Sequence, residues 1–286
     1  LDGGMGQELV KRSGDRPTPQ WSTQVMVDHP GLVAEVHREF AAAGATLATS
    51  NTYAIHHDRL IGTPLEGQQA ALVERALNEL ADGVGQHGRT AGAIGPLNGS
   101  YRPDAHPDHD TAVALYGELA GLLAPSVDIL LGDTIASVRH ARALFDAMQG
   151  FGKPVWLAVT LDDDDGTLLR SGEPVSALSG LQPDAWLANC SVPEAMAAGL
   201  DVLRSFGKPF GAYANGFTGI TKAFRQARST VASLTARDDV GPEAYAEYAL
   251  AWVGQGATII GGCCEIGPAH IAELASRLKA EGHKIA

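Results

Sequence analysis

The sequence predicts an α/β protein folded as a (β/α)8 TIM barrel, a single domain spanning residues 1–286. Three observations carry this expectation. Short β-like apolar runs alternate with alanine-rich helical stretches from one end to the other, the pattern of repeated βα units around a parallel sheet. The chain has 286 residues, and single α/β barrels of about 250 residues are common. No Pro/Ser linker or low-complexity block divides it, so one domain is the simpler reading.

Taken in order, the first unit starts with a truncated strand at residues 1–3. The following strands are expected at 45–51, 90–95, 127–132, 155–160, 185–189, 209–213 and 257–261. Helical stretches fall between them at 31–43, 65–84, 111–123, 135–148, 193–206, 242–254 and 269–280, with a short one near 173–179. Asp28 before Gly31 and Ser191 before Pro193 read as helix starts, where a cap oxygen or a proline meets unsatisfied amides. Gly44, Gly152 and Gly207 read as helix ends, being able to take left-handed geometry. Eight strand–helix pairs in a chain of this size favour a closed barrel over an open doubly wound sheet.

Composition narrows the function. A hydrophobic fraction of 45% suffices for a large core. No apolar stretch approaches the ~20 residues needed to span a bilayer, and nothing near Leu1 reads as a signal peptide. A formal charge of -12 and a pI near 5.2 argue against nucleic acid or anionic lipid as partners, because both reward basic surfaces. Few thiols and no even-numbered cysteine framework suit a reducing compartment. The expectation is a cytoplasmic enzyme of small molecules, with no nucleic-acid or membrane partner.

The chain contains three cysteines. Cys263 and Cys264 are adjacent, behind Gly261 and Gly262 at the end of the apolar run 257–260, and Cys190 ends the run 184–189. Three thiols at the ends of two such runs suit a zinc site with three protein sulfurs and a vacant fourth corner, the catalytic rather than structural arrangement. Neighbouring cysteines rarely bridge to one another, because a relaxed disulfide wants their Cα atoms further apart. A redox dithiol usually reads C-x-x-C, a structural zinc site needs a fourth ligand, and buried free cysteines act as small hydrophobes. In a barrel, function gathers where strands finish. Both cysteine segments fall there, and so do Asp2, residues 51–53, Asp133 and Asn215. Such a site would activate an incoming thiol.

These residues resemble the zinc-dependent homocysteine S-methyltransferase family. The likeness covers nearly the whole chain, through residues 1–6, 50–53, 94–96, 153–156 and 170–174. Its most specific parts are Ala188-Asn189-Cys190 and Gly261-Gly262-Cys263-Cys264. The resemblance implies Zn(2+) held by Cys190, Cys263 and Cys264, with the homocysteine sulfur as fourth ligand. It implies a small cationic methyl donor, S-methylmethionine or S-adenosylmethionine first, then dimethylsulfoniopropionate or betaine, and methionine as product. Asp2 matches the carboxylate that holds the substrate amino group. Gly3, Asn51, Tyr53 and Asp133 complete the candidate substrate contacts, and no catalytic side chain is expected beyond the metal site. Asp133 stands where the family has Glu, keeping the charge but shortening the reach. Ala214 stands where a proline is usual.

Two other readings stay open: the same zinc–thiolate chemistry on another thiol or selenol, and a non-catalytic zinc or thiol binder. Tyr53, Tyr101, Trp156 and Tyr213 are candidate faces for a cationic donor. The acidic run 162–165 fails the ligand spacing of a calcium loop and reads as a solvated loop. His56 with His57, and His106 with His109, lack a third partner at metal spacing and read as surface or core residues. Residues 94–99 lack the full phosphate-loop patterns and read as shaping the mouth after the third strand.

Overall fold

The structure is a computed structural model that describes residues 1–85, 88–221, 223–225 and 230–286. Its strands are β1 (Leu47–Thr49), β2 (Arg89–Ile94), β3 (Ile129–Ile135), β4 (Val155–Val159), β5 (Ala185–Asn189), β6 (Phe210–Tyr213) and β7 (Ile259–Ile260). All pair in parallel with their sequence neighbours, in the order β1-β2-β3-β4-β5-β6-β7. The period-2 alternation of a strand divides the apolar residues between two layers. On β3, Ile129 and Leu131 join the barrel interior with Leu47, Ala91, Ala158, Leu187 and Tyr213. Leu130 points the other way, into the layer packed beneath the helices.

The expected strand at 1–3 forms no ladder of its own. Those residues nevertheless span the gap between the outer strands: Leu1 N donates to Ile260 O (2.7 Å), and Asp2 N donates to Leu47 O (3.0 Å). Gly262 N in turn donates to Asp2 O (2.9 Å). Among the described residues, seven strands and this bridge thus build the barrel wall. The segment is too short for more because a helix begins at Met5.

The helices are α1 (Met5–Ser13), α2 (Ser22–Asp28), α3 (Leu32–Ala42), α4 (His57–Leu60), α5 (Gln69–Val84), α6 (His109–Leu123), α7 (Val138–Met148), α8 (Pro193–Arg204), α9 (Pro242–Gly254) and α10 (Pro268–Ala280). Helices α1, α2 and α4 were not expected from sequence. The stretch near 173–179 is a 3-10 turn, Val175–Leu178, confined between Pro174 and Gly180. Asp28 ends α2 and does not open α3, whose N-cap is Gly31. Pro193 does occupy the first turn of α8, but Val192 is the cap residue, and the Ser191 hydroxyl instead accepts from Leu161 N (2.8 Å). Gly44, Gly152 and Gly207 adopt the expected left-handed backbone. Among the described residues, no helix is long and apolar enough to cross a membrane.

Candidate functional site

The ends of the strands and the loops that follow them enclose a cavity of about 770 Å³. Asp2, Gly3, Asn51, Tyr53, Asp133, Cys190, Cys263 and Cys264 all line it. Residues separated by up to 262 positions along the chain therefore meet in one chamber because each terminates or follows a barrel stave.

The three sulfurs lie within 4.8 Å of one another. Cys190 and Cys263 are joined as a disulfide with Cα atoms 5.6 Å apart, and Cys264 is free. The bridge thus runs between the two distant segments and not between the adjacent pair. Local backbone bonding holds this geometry. Cys190, at φ 47, donates its N–H to Tyr213 O (3.1 Å), and Cys263 N donates to Ala214 O (2.9 Å). The Tyr245 hydroxyl accepts from Ala214 N (3.1 Å) and donates to Gly261 O (2.6 Å), tying the end of β6 to the Gly-Gly-Cys-Cys turn. A proline at 214 would remove that N–H, so the departure at Ala214 has a local structural counterpart. A side chain at Gly4 would collide with the Cys263 carbonyl.

A three-sulfur set of this spread fits a tetrahedral ion with sulfur bonds near 2.3 Å, once the Cys190–Cys263 bond is reduced. Burial, with the charges of Glu265 and Asp133, pushes the Cys264 thiol up to about 12. A thiolate there needs a cation beside it.

Two carboxylates share the chamber. Asp2 accepts from Thr49 N (2.7 Å) and from the Thr49 hydroxyl (2.9 Å), yet burial raises it to about 6. Asp133 sits at an irregularity in the β3–β4 register between Gly132 and Ile135, beside Thr134 at φ 57. Such a bulge redirects a side chain out of the ladder. One carboxylate oxygen of Asp133 accepts from Asn189 Nδ2 (2.5 Å) and from the Tyr213 hydroxyl (2.9 Å). Burial again raises the group to about 6, against the pull of these donors. Asn189, adjacent to Cys190, keeps a buried Oδ1 without a partner.

Gly3 packs where a Cβ would strike the Ile266 carbonyl and Phe40, and Asn51 is buried with Nδ2 toward Ser22 O (3.4 Å). Tyr53 meets Trp21 edge-on at 5.9 Å, and its hydroxyl shares a hydrogen bond with Ser100 (2.7 Å). Tyr101 lies in a buried cluster with Cys190 and Ile220, against which Cys263 and Cys264 pack. Tyr213 lines the cavity, but its hydroxyl is committed to Asp133. Trp156 packs in the barrel interior and is not among the cavity-lining residues. Sequence reasoning missed Trp21, Asn189, Tyr245 and the partly buried pair Asp163–Arg170. Signals were at hand for Asn189, beside Cys190, for Arg170, which opens the family-like segment 170–174, and for Asp163, within the acidic run 162–165.

His56 and His106 are buried and gather with His140 around the Tyr116 ring. His109 pairs with Asp146 at the surface (3.3 Å), and His57 opens α4. Asn98 and Gly99 of the 94–99 segment line the cavity mouth. Asp162 and Asp165 bond to their own turn, whereas Asp163 is drawn inward.

A barrel whose strand ends present three converging sulfurs and two carboxylates in one cavity is an enzyme scaffold arranged around a thiol centre. The sequence profile of the homocysteine S-methyltransferase family matches residues 1–278, and the chain belongs to that family. It is a methyltransferase of homocysteine. The chain is 29% identical to the homocysteine S-methyltransferase of Escherichia coli (strain K12), over 97% of this chain and 94% of that protein. It is 24% identical to homocysteine S-methyltransferase YbgG of Bacillus subtilis (strain 168), covering 96% and 93%. Among solved structures, the metallated form of E. coli homocysteine methyltransferase MmuM superposes with TM-score 0.80 at 26% identity, covering 97% of this chain and 95% of that one. The oxidized form of MmuM gives TM-score 0.80 at 26% identity, covering 97% and 94%.

Proposed function

We propose that the enzyme carries a methyl group from a small cationic donor to homocysteine on a zinc ion held by Cys190, Cys263 and Cys264, yielding methionine. The observation that carries this reading is the meeting of the three sulfurs in the same chamber as Asp2 and Asp133.

A free alkyl thiol has a pKa near ~8.5 and reacts as its thiolate. Zinc, when bound by three cysteine thiolates, stabilises a fourth thiolate while leaving that sulfur rich in electron density. The protein's own groups do the rest. Asp2, oriented by Thr49, and Asp133, held by Asn189 and Tyr213, receive the homocysteine ammonium group in their charged forms. Gly3, Asn51 and Tyr53 complete the pocket around the amino acid. The transfer forms a bond from the homocysteine sulfur to the methyl carbon and breaks the bond from that carbon to the donor's onium atom. The leaving sulfide or amine departs neutral, so no general acid is required, and positioning dominates. Aromatic faces and carboxylates favour the cation; Tyr53 and Tyr101, which line the cavity, are the faces we assign to it.

S-methylmethionine or S-adenosylmethionine is the preferred donor, ahead of dimethylsulfoniopropionate and betaine. The ligand set requires free thiols, and we place the enzyme in the reducing cytoplasm. The test is metal content and methionine formation with homocysteine and each donor, before and after chelation. Cys264→Ala should lose both zinc and activity; retention of both by the variant would remove Cys264 from the ligand set. Methionine formation with none of the donors would overturn the donor reading.

A further inference from the structure

Among the acidic residues 162–165, Asp163 alone joins a partly buried pair. Arg170, with its side chain 4% exposed, grips Asp163 through both terminal nitrogens, Nη1 to Oδ2 (2.7 Å) and Nη2 to Oδ1 (2.6 Å). The same carboxylate accepts Val192 N (3.1 Å) from the loop that follows Cys190. It also accepts Ile220 N (3.2 Å) from the loop that follows β6. The guanidinium carbon stands 5.6 Å from the centroid of the Tyr101 ring, and Tyr101 packs with Cys190 and Ile220 beside Cys263 and Cys264. One ion pair therefore fastens three loops and backs the aromatic ring that borders the sulfur cluster.

Arginine stays charged at any working pH. An unmasked guanidinium behind Tyr101 would oppose a cation on the ring's cavity side, since charges in a partly buried site are weakly screened. We propose that the Arg170–Asp163 pair is a specificity-determining positioning unit for the cationic methyl donor, with Asp163 masking the guanidinium that holds Tyr101 in place. It rests on the cationic-donor reading above.

The test compares two ligands of one shape, S-methylmethionine and its uncharged carbon isostere 2-amino-5-methylhexanoate, by calorimetric binding to the zinc-loaded enzyme. The wild-type enzyme should prefer the sulfonium. Asp163→Asn, which strips the mask and leaves the guanidinium, should cut that preference about tenfold, the effect of weakly screened repulsion acting across the ring. Homocysteine affinity and zinc content should stay within about twofold. The double variant Arg170→Met with Asp163→Asn removes both charges and should recover most of the preference, which a purely structural loss would not do. An unchanged preference in Asp163→Asn, or a double variant as poor as the single one, overturns the inference alone. A wild-type enzyme indifferent to the charge overturns it together with the donor reading. Thermal unfolding of each variant verifies that the folded protein is being measured.

Discussion

Asp133 is the residue where family chemistry and local structure meet most directly. Its carboxyl is raised to about 6 by burial, while Tyr213, Thr134 and Asn189 pull it down. The charged form thus dominates above about pH 6 and is lost as pH falls through that value, where the homocysteine ammonium remains protonated. The KM for homocysteine should rise by up to about tenfold per pH unit below 6 for each carboxylate that must be charged, measured at saturating donor. Asp2, likewise raised to about 6, acts in the same window. Tyr213→Phe removes a donor to the charged carboxylate and should move the midpoint of this profile to higher pH; a midpoint that stays or falls would show that the Tyr213 hydrogen bond does not govern Asp133. Asn51 and Asp133 were visible in the sequence because each falls where a strand finishes, and Asp2 and Tyr53 because they lie in segments that resemble the family. That Tyr213 serves Asp133 was not visible, since the register irregularity of β3 and the reach of a side chain from β6 decide it.

At the scale of elements, the cysteines owe their positions to short strands and the turns after them. Tyr245, fully buried on α9, links the ends of β6 and β7. Tyr245→Phe leaves the Ala214 N–H and the Gly261 carbonyl without that partner, an expected cost of about 1–3 kcal/mol. A lowered unfolding midpoint should accompany weaker zinc retention; a variant as stable as the parent would exclude the link. Helix α7 starts at Ser137, whose hydroxyl accepts from His140 N (3.2 Å). Ser137→Ala should cost about 1 kcal/mol by denaturant titration, with activity retained. The 3.6-residue pattern made most of the long helices legible, and α9 falls at the residues expected. Helices α1, α2 and α4 escaped because they are short and follow glycine- and turn-rich segments, so that tertiary packing, not periodicity, holds them. The strand expected at residues 1–3 is reduced to a bridge for the same reason: it borrows its hydrogen bonds from β1 and β7.

Across the whole molecule, buried titratable groups set the response to acid. Burial lowers His56 and His106 to about 4 and His37 to about 3, and drives His140 well below the usual imidazole value. The unfolded chain takes up these protons near pH 6.5 while the folded one resists them. Their contribution is complete above about 6.5 and is lost as pH falls toward 4. Asp2 and Asp133, raised in the fold, act oppositely, stabilising below about 4 and losing that contribution as pH rises through 6. Four histidines outweigh two carboxylates, so the unfolding temperature should fall between pH 6.5 and 4; a flat or rising calorimetric profile would contradict this balance. By itself the sequence determined the repeating βα order, the three-sulfur inventory and the acidic residues at strand ends, because alternation and chain order are local properties. Only the tertiary structure decided that Cys190 reaches the vicinal pair, that Asp163 turns inward to Arg170, and that two residues close a wall of seven strands. Each of these depends on the curvature that brings staves distant along the chain around one cavity, and no local pattern encodes that distance.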